Sequence, residues 1–202
     1  MLALAAQLCT KPTLIPQALL HYERGICAED AFSAHGKRAF IMSHVLDMTG
    51  APIVLVSAVP VLRSMGYEVL VLGPSDGGSL HLFLDAGASV ITRSSCRNVS
   101  DAWGMALCAD FVIANTVVMA RAVRALSGTA VPVLWWLHDA FAGYPHIAHQ
   151  IPTQLGENVR VYSVGSHAAN AMRAVRPEFE IRPLIYGLPD YAAENFVRTD
   201  LG

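Results

Sequence analysis

The chain has 202 residues and a net charge of -2, with 53% hydrophobic and only 15% charged residues. That length allows one large domain or two small ones with a sizeable core, and the charged fraction lies below the usual quarter or so. No Lys/Arg-rich run exists to neutralise phosphates, which argues against nucleic acid as a partner.

The four cysteines, Cys9, Cys27, Cys96 and Cys108, form no CxxC pair. Without a secretory signature, reduced thiols in a cytoplasmic protein are the expectation. Met1–Leu8 is apolar but short, has no basic n-region and runs into Lys11-Pro12, so it reads neither as a signal peptide nor as a membrane span.

In chain order, residues 1–37 read as an N-terminal helical extension, with a short helix at Leu14–Tyr22 and a turn at Ala28–Ser33, outside the sheet. From Lys37 the alternation becomes regular. Ala39–Ser43 is a buried strand, His44–Thr49 a polar turn, and Ala51–Ser64 an apolar helix. Pro52 suits the first turn of that helix, where its missing N–H would be unpaired anyway. Pro60 implies a kink or a break, and Gly66 closes the helix. Strands follow at Glu68–Leu72, Ser89–Thr92, Phe111–Ala114, Pro132–Leu137, Val159–Ser163 and Glu180–Leu184. Helices are expected at Ser79–Ala86, Ser100–Leu107, Val117–Leu126, within Tyr144–Leu155, and at Ala168–Ala174. Residues 186–202 are more polar and read as a tail or a linker.

The strands are continuous apolar runs, which means burial on both faces and hence a parallel sheet. Strands alternating with helices give an α/β, doubly wound fold with Rossmann-like topology over residues 38–185. Ligands of such sheets bind beyond the carboxyl ends of the strands. The small and polar residues collect there: His44 and Thr49-Gly50, then Ser75-Asp76-Gly77-Gly78, Asn115-Thr116, His138-Asp139, and Ser163 through His167 with Ser166.

Turns between strand and helix are polar and Gly-rich in any case, so each site carries a second reading. Asn115-Thr116 is a helix cap first, and Asp76-Gly77 a turn first. His138 is more telling: it follows a deeply apolar strand where a buried sheet meets a cleft, with an acid beside it. The N-terminus of the first helix is an anion site by its geometry, since free N–H groups and the positive helix end point outward.

Several catalytic patterns are absent. No GxGxxG follows the first strand, no GxxxxGK[ST] occurs, and Val164-Gly165-Ser166-His167 lacks the second glycine of a nucleophile elbow. His146 and His149 have no third ligand, so no metal site is expected.

The order of the segments resembles a family. SHVLDMTGAP, RSMGYEVLVLGPSDGG and FLDAGASVI are similar to the N-terminal, acceptor-side half of GT-B glycosyltransferases, of the retaining family-four (group 1) type. Gly66-Tyr67-Glu68-Val69 and Gly87-Ala88-Ser89-Val90 match its helix-to-strand steps. VIANT, PVLWWLHD and VRVYSVGSHAA resemble its later segments, and PLIYGLP its crossing into a second domain.

The resemblance implies that Thr49-Gly50-Ala51 faces the phosphates of the donor, with one glycine where many members have two. It implies that His138 lies near the transferred sugar, with Asp139 orienting it or capping the next helix. His44, Ser75, Asp76, Asn115, Thr116 and Ser166 would line the substrate side. In that family a C-terminal domain holds the nucleotide and two glutamates eight positions apart, a spacing that this chain lacks.

The implied function is transfer of a hexose from a nucleotide-sugar to a glycan or lipid-linked acceptor, as in polysaccharide biosynthesis. No permanently bound cofactor or metal is implied. The donor-binding domain, or a partner subunit, would be needed for turnover. The cytoplasm, at the inner membrane face, is the implied setting. The apolar composition adds self-association as an expectation. A non-catalytic binding module on the same fold, and half of a sugar-nucleotide epimerase, stay open as alternatives.

Overall fold

A computed structural model describes residues 24–26, 36–94, 96 and 103–186. Eight strands form one sheet: β1 (Arg24–Ile26), β2 (Lys37–Met42), β3 (Tyr67–Gly73), β4 (Ser89–Thr92), β5 (Phe111–Asn115), β6 (Val133–Leu137), β7 (Val159–Ser163) and β8 (Ile181–Pro183). Their order is β1-β4-β3-β2-β5-β6-β7-β8. β2 through β8 are parallel, and β1 pairs antiparallel with β4.

The strand at Arg24–Ile26 corrects the expectation that residues 1–37 lie outside the sheet. It is a three-residue edge strand, too short and too polar at Arg24 to announce itself by pattern. The helix expected at Leu14–Tyr22, the turn at Ala28–Ser33 and residues 187–202 lie outside the described residues, as does the start of the helix expected at Ser100–Leu107.

Among the described residues, the connections are carried by α1 (Gly50–Ser64), α2 (Leu80–Asp85), α3 (Ala120–Leu126), α4 (Tyr144–Ile147) and α5 (Ser166–Arg173). Several predicted helices begin or continue as single 3-10 turns, at Met105–Cys108, Val117–Met119, Phe141–Gly143 and Ala148–Gln150. α1 runs through Pro60 as one element; Pro60 is exposed, so its ring sits on the solvent side. Gly66 and Gly87 follow α1 and α2 at φ 86° and 91°, the left-handed stop that glycine adopts without a Cβ penalty.

Alternate strand residues face opposite sides, and the core divides accordingly. On one face Ala39, Ile41, Val71, Ile113 and Trp136 pack with Val54, Leu55 and Val59 of α1 and Phe83 of α2. On the other, Phe40, Met42, Val112, Ala114, Trp135 and Leu137 pack with α3 and α5. Each such large side chain contributes about 1.5–3 kcal/mol by burial. The paired tryptophans of β6 therefore serve both cores. β8 closes the far edge, where Pro183 has no N–H to offer a further strand.

The chain builds outward from β2 through β3 to β4, returns to lay β5 against β2, and builds outward again. The reversal between β2 and β5 is the topological switch point. Among the described residues no helix is long and apolar enough to cross a membrane.

Candidate active site

α1 starts at the switch point. Thr49 is its N-cap residue, without a side-chain bond to the helix. Instead the Thr49 hydroxyl and N–H both donate to Asp47 Oδ1. Ile53 N–H reaches Thr49 O at 3.3 Å, and Pro52 has no N–H. That leaves the N–H groups of Gly50 and Ala51 without an intrahelical acceptor. A Cβ added at Gly50 would meet nothing within 4 Å, so the space before the helix is open and packing does not demand the glycine.

The turn after β5 is the strained part of the site. Thr116 has φ 72° and ψ 167°, a region that side chains other than glycine rarely enter. The tryptophans of β6 hold it there. Trp135 Nε1–H donates to Thr116 O at 2.8 Å, and Thr116 N–H donates to Trp136 O at 2.8 Å. Val117 N–H donates to Asp139 Oδ2 at 2.6 Å. Asp139 therefore braces the β5 turn; it also accepts from the backbone N–H of His138, and the helical turn that follows has Ala140 as its N-cap, without a side-chain bond. Burial pushes its carboxyl above the ordinary value, opposed by backbone N–H donors led by that of Val117. Thr116 Oγ1 accepts weakly from Val118 N–H at 3.3 Å, which is the cap expected from the sequence.

Asn115 does not cap. It is 0% exposed, and neither its Oδ1 nor its Nδ2 has a hydrogen-bond partner among the described residues. It shares a sheet face with Ile113, and so with Trp136, its register partner on β6. His138 lies just beyond on that face, its ring 4.9 Å from that of Trp136. Trp136 Nε1 and His138 Nε2 are also unpartnered among the described residues. His138 is held down at a pKa of about 4, first by burial and then by the charge of nearby His44. The ring is thus neutral at pH 7. His44, half-buried at the end of β2, lies near enough to His138 to act on it by charge.

Ser75, Asp76 and Ser166 stand apart from this cluster. Ser75 and Asp76 are the exposed tip of the β3 loop. Its glycines have a packing role: a Cβ on Gly77 would lie 2.2 Å from Leu46 O, and Ser79 N–H donates to Leu46 O at 2.9 Å. The loop braces the one that carries His44 and Thr49. Ser166 is exposed at the start of α5, on the opposite face of the sheet, after β7. His146 and His149 are both exposed. Among the described residues no group of three His, Cys, Asp or Glu side chains is placed to hold a metal.

Sequence reasoning missed Trp136 and Tyr144. Strand alternation puts Trp136 on the face of His138, two residues on, and was the available signal. Tyr144, wholly buried beside Asp139, has its phenol raised well above the ordinary value, by burial and then by the Asp139 charge; no pattern announced it. A groove of about 510 Å³ lies instead at the amino ends of β7 and β8, lined by Arg160, Glu178, Glu180 and Arg182 among others. It is at the wrong edge of a parallel sheet for the chemistry, and its polar side chains are exposed.

A family model described as "Glycosyl-transferase family 4" matches residues 35–176. Comparison with curated proteins gives no match. Among solved structures, the chain is similar to an alpha-glucosyltransferase in complex with UDP and a 13-mer DNA containing a HMU base, at a TM-score of 0.48 and 11% identity. The match covers 74% of this chain and 42% of that one, so the chain spans less than half the length of that structure.

Proposed function

The chain belongs to glycosyl-transferase family 4, and from that premise we propose that residues 38–185 are the acceptor-side domain of a hexosyltransferase. The reaction is transfer of a hexose from a nucleotide-sugar to a hydroxyl of a glycan or lipid-linked acceptor. What supports the reading is an open helix N-terminus after β2 and, after β6, a neutral histidine whose Nε2 is unpartnered among the described residues, on strands that β5 alone separates.

The two ends divide the work by chemistry. The N–H groups of Gly50 and Ala51 suit an anion, and open space before Gly50 lets a phosphate approach the backbone. Asp47 stands at the same helix end. Its negative charge opposes a bare phosphate, so an anion docks here only together with a counter-charge. A histidine with a pKa of about 4 is a weak base at pH 7. His138 therefore contributes a hydrogen bond at Nε2, orienting a sugar or acceptor hydroxyl. Strands β2 and β6 are separated by β5 alone, so two strand spacings put the two ends ~10 Å apart.

Nucleotide binding and the remaining charge stabilisation fall to a donor domain or partner subunit that closes on the cleft. Met48 and Phe141, 62% and 55% exposed on the loops at this edge, fit such a closure, and fit self-association when the closure is missing. A lipid-linked acceptor would place the reaction at the inner membrane face. The matched family is one of transferases, which favours transfer over the epimerase alternative.

Transfer from a panel of nucleotide-sugars to glycan acceptors tests the reading, with and without a supplied donor domain. The expected result is no turnover by the chain alone and turnover with the donor domain. His138→Ala should lower kcat more than it raises KM for the nucleotide-sugar. Full turnover by His138→Ala, or sub-micromolar nucleotide-sugar binding by the chain alone, would overturn it.

A further inference from the structure

Asn115 is buried to 0% exposure with both amide atoms unpartnered among the described residues. Buried amides in native proteins are otherwise satisfied, and each exception calls for an explanation. Packing does not supply one, because an apolar side chain would fill the space without the desolvation penalty. The strained turn beside it points the same way. Strain of this kind persists where the surroundings over-determine it, and it concentrates at ligand sites. Here two tryptophan contacts and Asp139 fix Thr116 directly after Asn115.

We infer that the β5–β6 half of the cleft reads the hydroxyl groups of a neutral sugar ring. The amide of Asn115 is the specificity-determining group, and Asp139 is a positioning residue that holds it through the Thr116 turn. The inference rests on the transferase reading and narrows it.

The chemistry selects the ligand class. Asn115 Nδ2 and Trp136 Nε1 donate, Asn115 Oδ1 accepts, and His138 Nε2 does either according to tautomer. None of these groups is charged at pH 7, since His138 is kept neutral. A phosphate only accepts, so Asn115 Oδ1 would repel it. A hydroxyl both donates and accepts, and two neighbouring ring hydroxyls satisfy the amide on both atoms. Trp136 and His138, with rings 4.9 Å apart and inclined at 54° on the same face, add aromatic surface against which a sugar ring packs. Entry of the ligand requires a local shift of the side chains covering the amide, as loops at such edges make on binding. Discrimination between epimers then follows, because a misplaced hydroxyl leaves the amide unpaired.

The test uses the full chain and two readouts. Ligand-observed saturation-transfer NMR is run with methyl α-glucoside, α-galactoside and α-mannoside, and with UDP-glucose. Thermal unfolding is measured on the same variants. Wild type should bind these sugars with a preference among the epimers. Asn115→Leu should weaken them about tenfold or more, lose the preference, and raise Tm by roughly 2–6 °C as the orphaned amide is removed. A loss confined to UDP-glucose assigns the transferred sugar, and a loss confined to the free hexosides assigns the acceptor. Asp139→Ala should blunt the epimer preference, and Asp139→Asn, which keeps an acceptor for Val117 N–H, should retain it.

Unchanged affinity and preference in Asn115→Leu would overturn the inference and leave the transferase reading standing. A lower Tm in Asn115→Leu would make the amide structural and overturn it as well. No saturation of any sugar by wild type would likewise overturn the inference, while the transferase reading, which gives donor binding to a second domain, stands or falls on the turnover assay.

Discussion

Asp139 Oδ2 accepts a hydrogen bond from Val117 N–H at 2.6 Å, tying the residue after β6 to the turn after β5. The contact joins two segments 22 residues apart in the chain. It also places a carboxylate where burial raises its pKa. An acid with a raised folded-state pKa adds stability below its ordinary value of 3.8 and loses it as pH rises through the folded value. At neutral pH the charge is a cost that the backbone donors offset.

The Asp139 pair of variants separates those terms. Asp139→Ala removes the acceptor and should lower stability by about 1.5–3 kcal/mol. Asp139→Asn keeps an acceptor and removes the buried charge, so it should lie within about 1 kcal/mol of wild type. Urea unfolding at pH 7 measures both. Equal losses would mean that the charge, not the hydrogen bond, holds the turn.

Thr116 should reverse the usual ranking of alanine and glycine. In ordinary structure glycine is worse than alanine by roughly 0.5–1 kcal/mol. At φ 72° and ψ 167° alanine keeps the Cβ strain and glycine relieves it. Thr116→Gly should therefore be more stable than Thr116→Ala by about 1–2 kcal/mol. Chemical denaturation of the two variants checks the order, and an ordinary ranking would show that the turn relaxes.

The parallel sheet was legible because its strands are unbroken apolar runs. Val159–Ser163 and Ser89–Thr92 came out with the same bounds in sequence and structure. Short elements were not legible. Arg24–Ile26 carries no period, and the 3-10 turn at Val117–Met119 reads as helix until tertiary contacts tighten it. The site was half legible. Residue types at strand ends located Gly50, Asn115 and His138. Which of them pair was not, because Asp139 bonds across to Val117 and the side-chain amide of Asn115 bonds to no described residue. Those facts belong to strand order and sheet face, which emerge only when β5 lies between β2 and β6.

The glycines of two adjacent loops should separate fold from ligand. Gly77→Ala drives a Cβ against Leu46 O, 2.2 Å away, and the backbone cannot yield as a side chain can. A loss of about 2–4 kcal/mol is expected, with the loop that carries His44 displaced. Gly50→Ala meets nothing within 4 Å and sits inside a helix, so it should leave Tm unchanged or slightly higher. Any weakening of phosphate or nucleotide binding in Gly50→Ala then reports backbone approach alone. Thermal unfolding beside calorimetric titration with UDP provides both readouts. A destabilised Gly50→Ala would assign that glycine to packing.

His138 should set the acid limit of the fold. Its pKa falls from 6.5 to about 4 on folding, so the unfolded chain binds the proton that the folded one refuses. The stability it allows is complete above pH 6.5 and is lost as pH falls toward 4. The full difference corresponds to roughly 3 kcal/mol, at 1.36 kcal/mol per unit. Replacing the ring by an uncharged one removes the titration, so His138→Phe should flatten the stability profile between those pH values. His44 faces His138 and adds the smaller, charge-based part of the shift. His44→Gln should therefore shrink the acid loss without abolishing it. Tm measured from pH 4 to pH 8 in wild type and both variants is the check. Asp139, whose raised pKa acts in the opposite sense, contributes to all three profiles, so the difference between wild type and His138→Phe is the readout. A difference that favours wild type toward acid would mean that His138 finds an anionic partner when protonated and that the cleft is not a neutral surface.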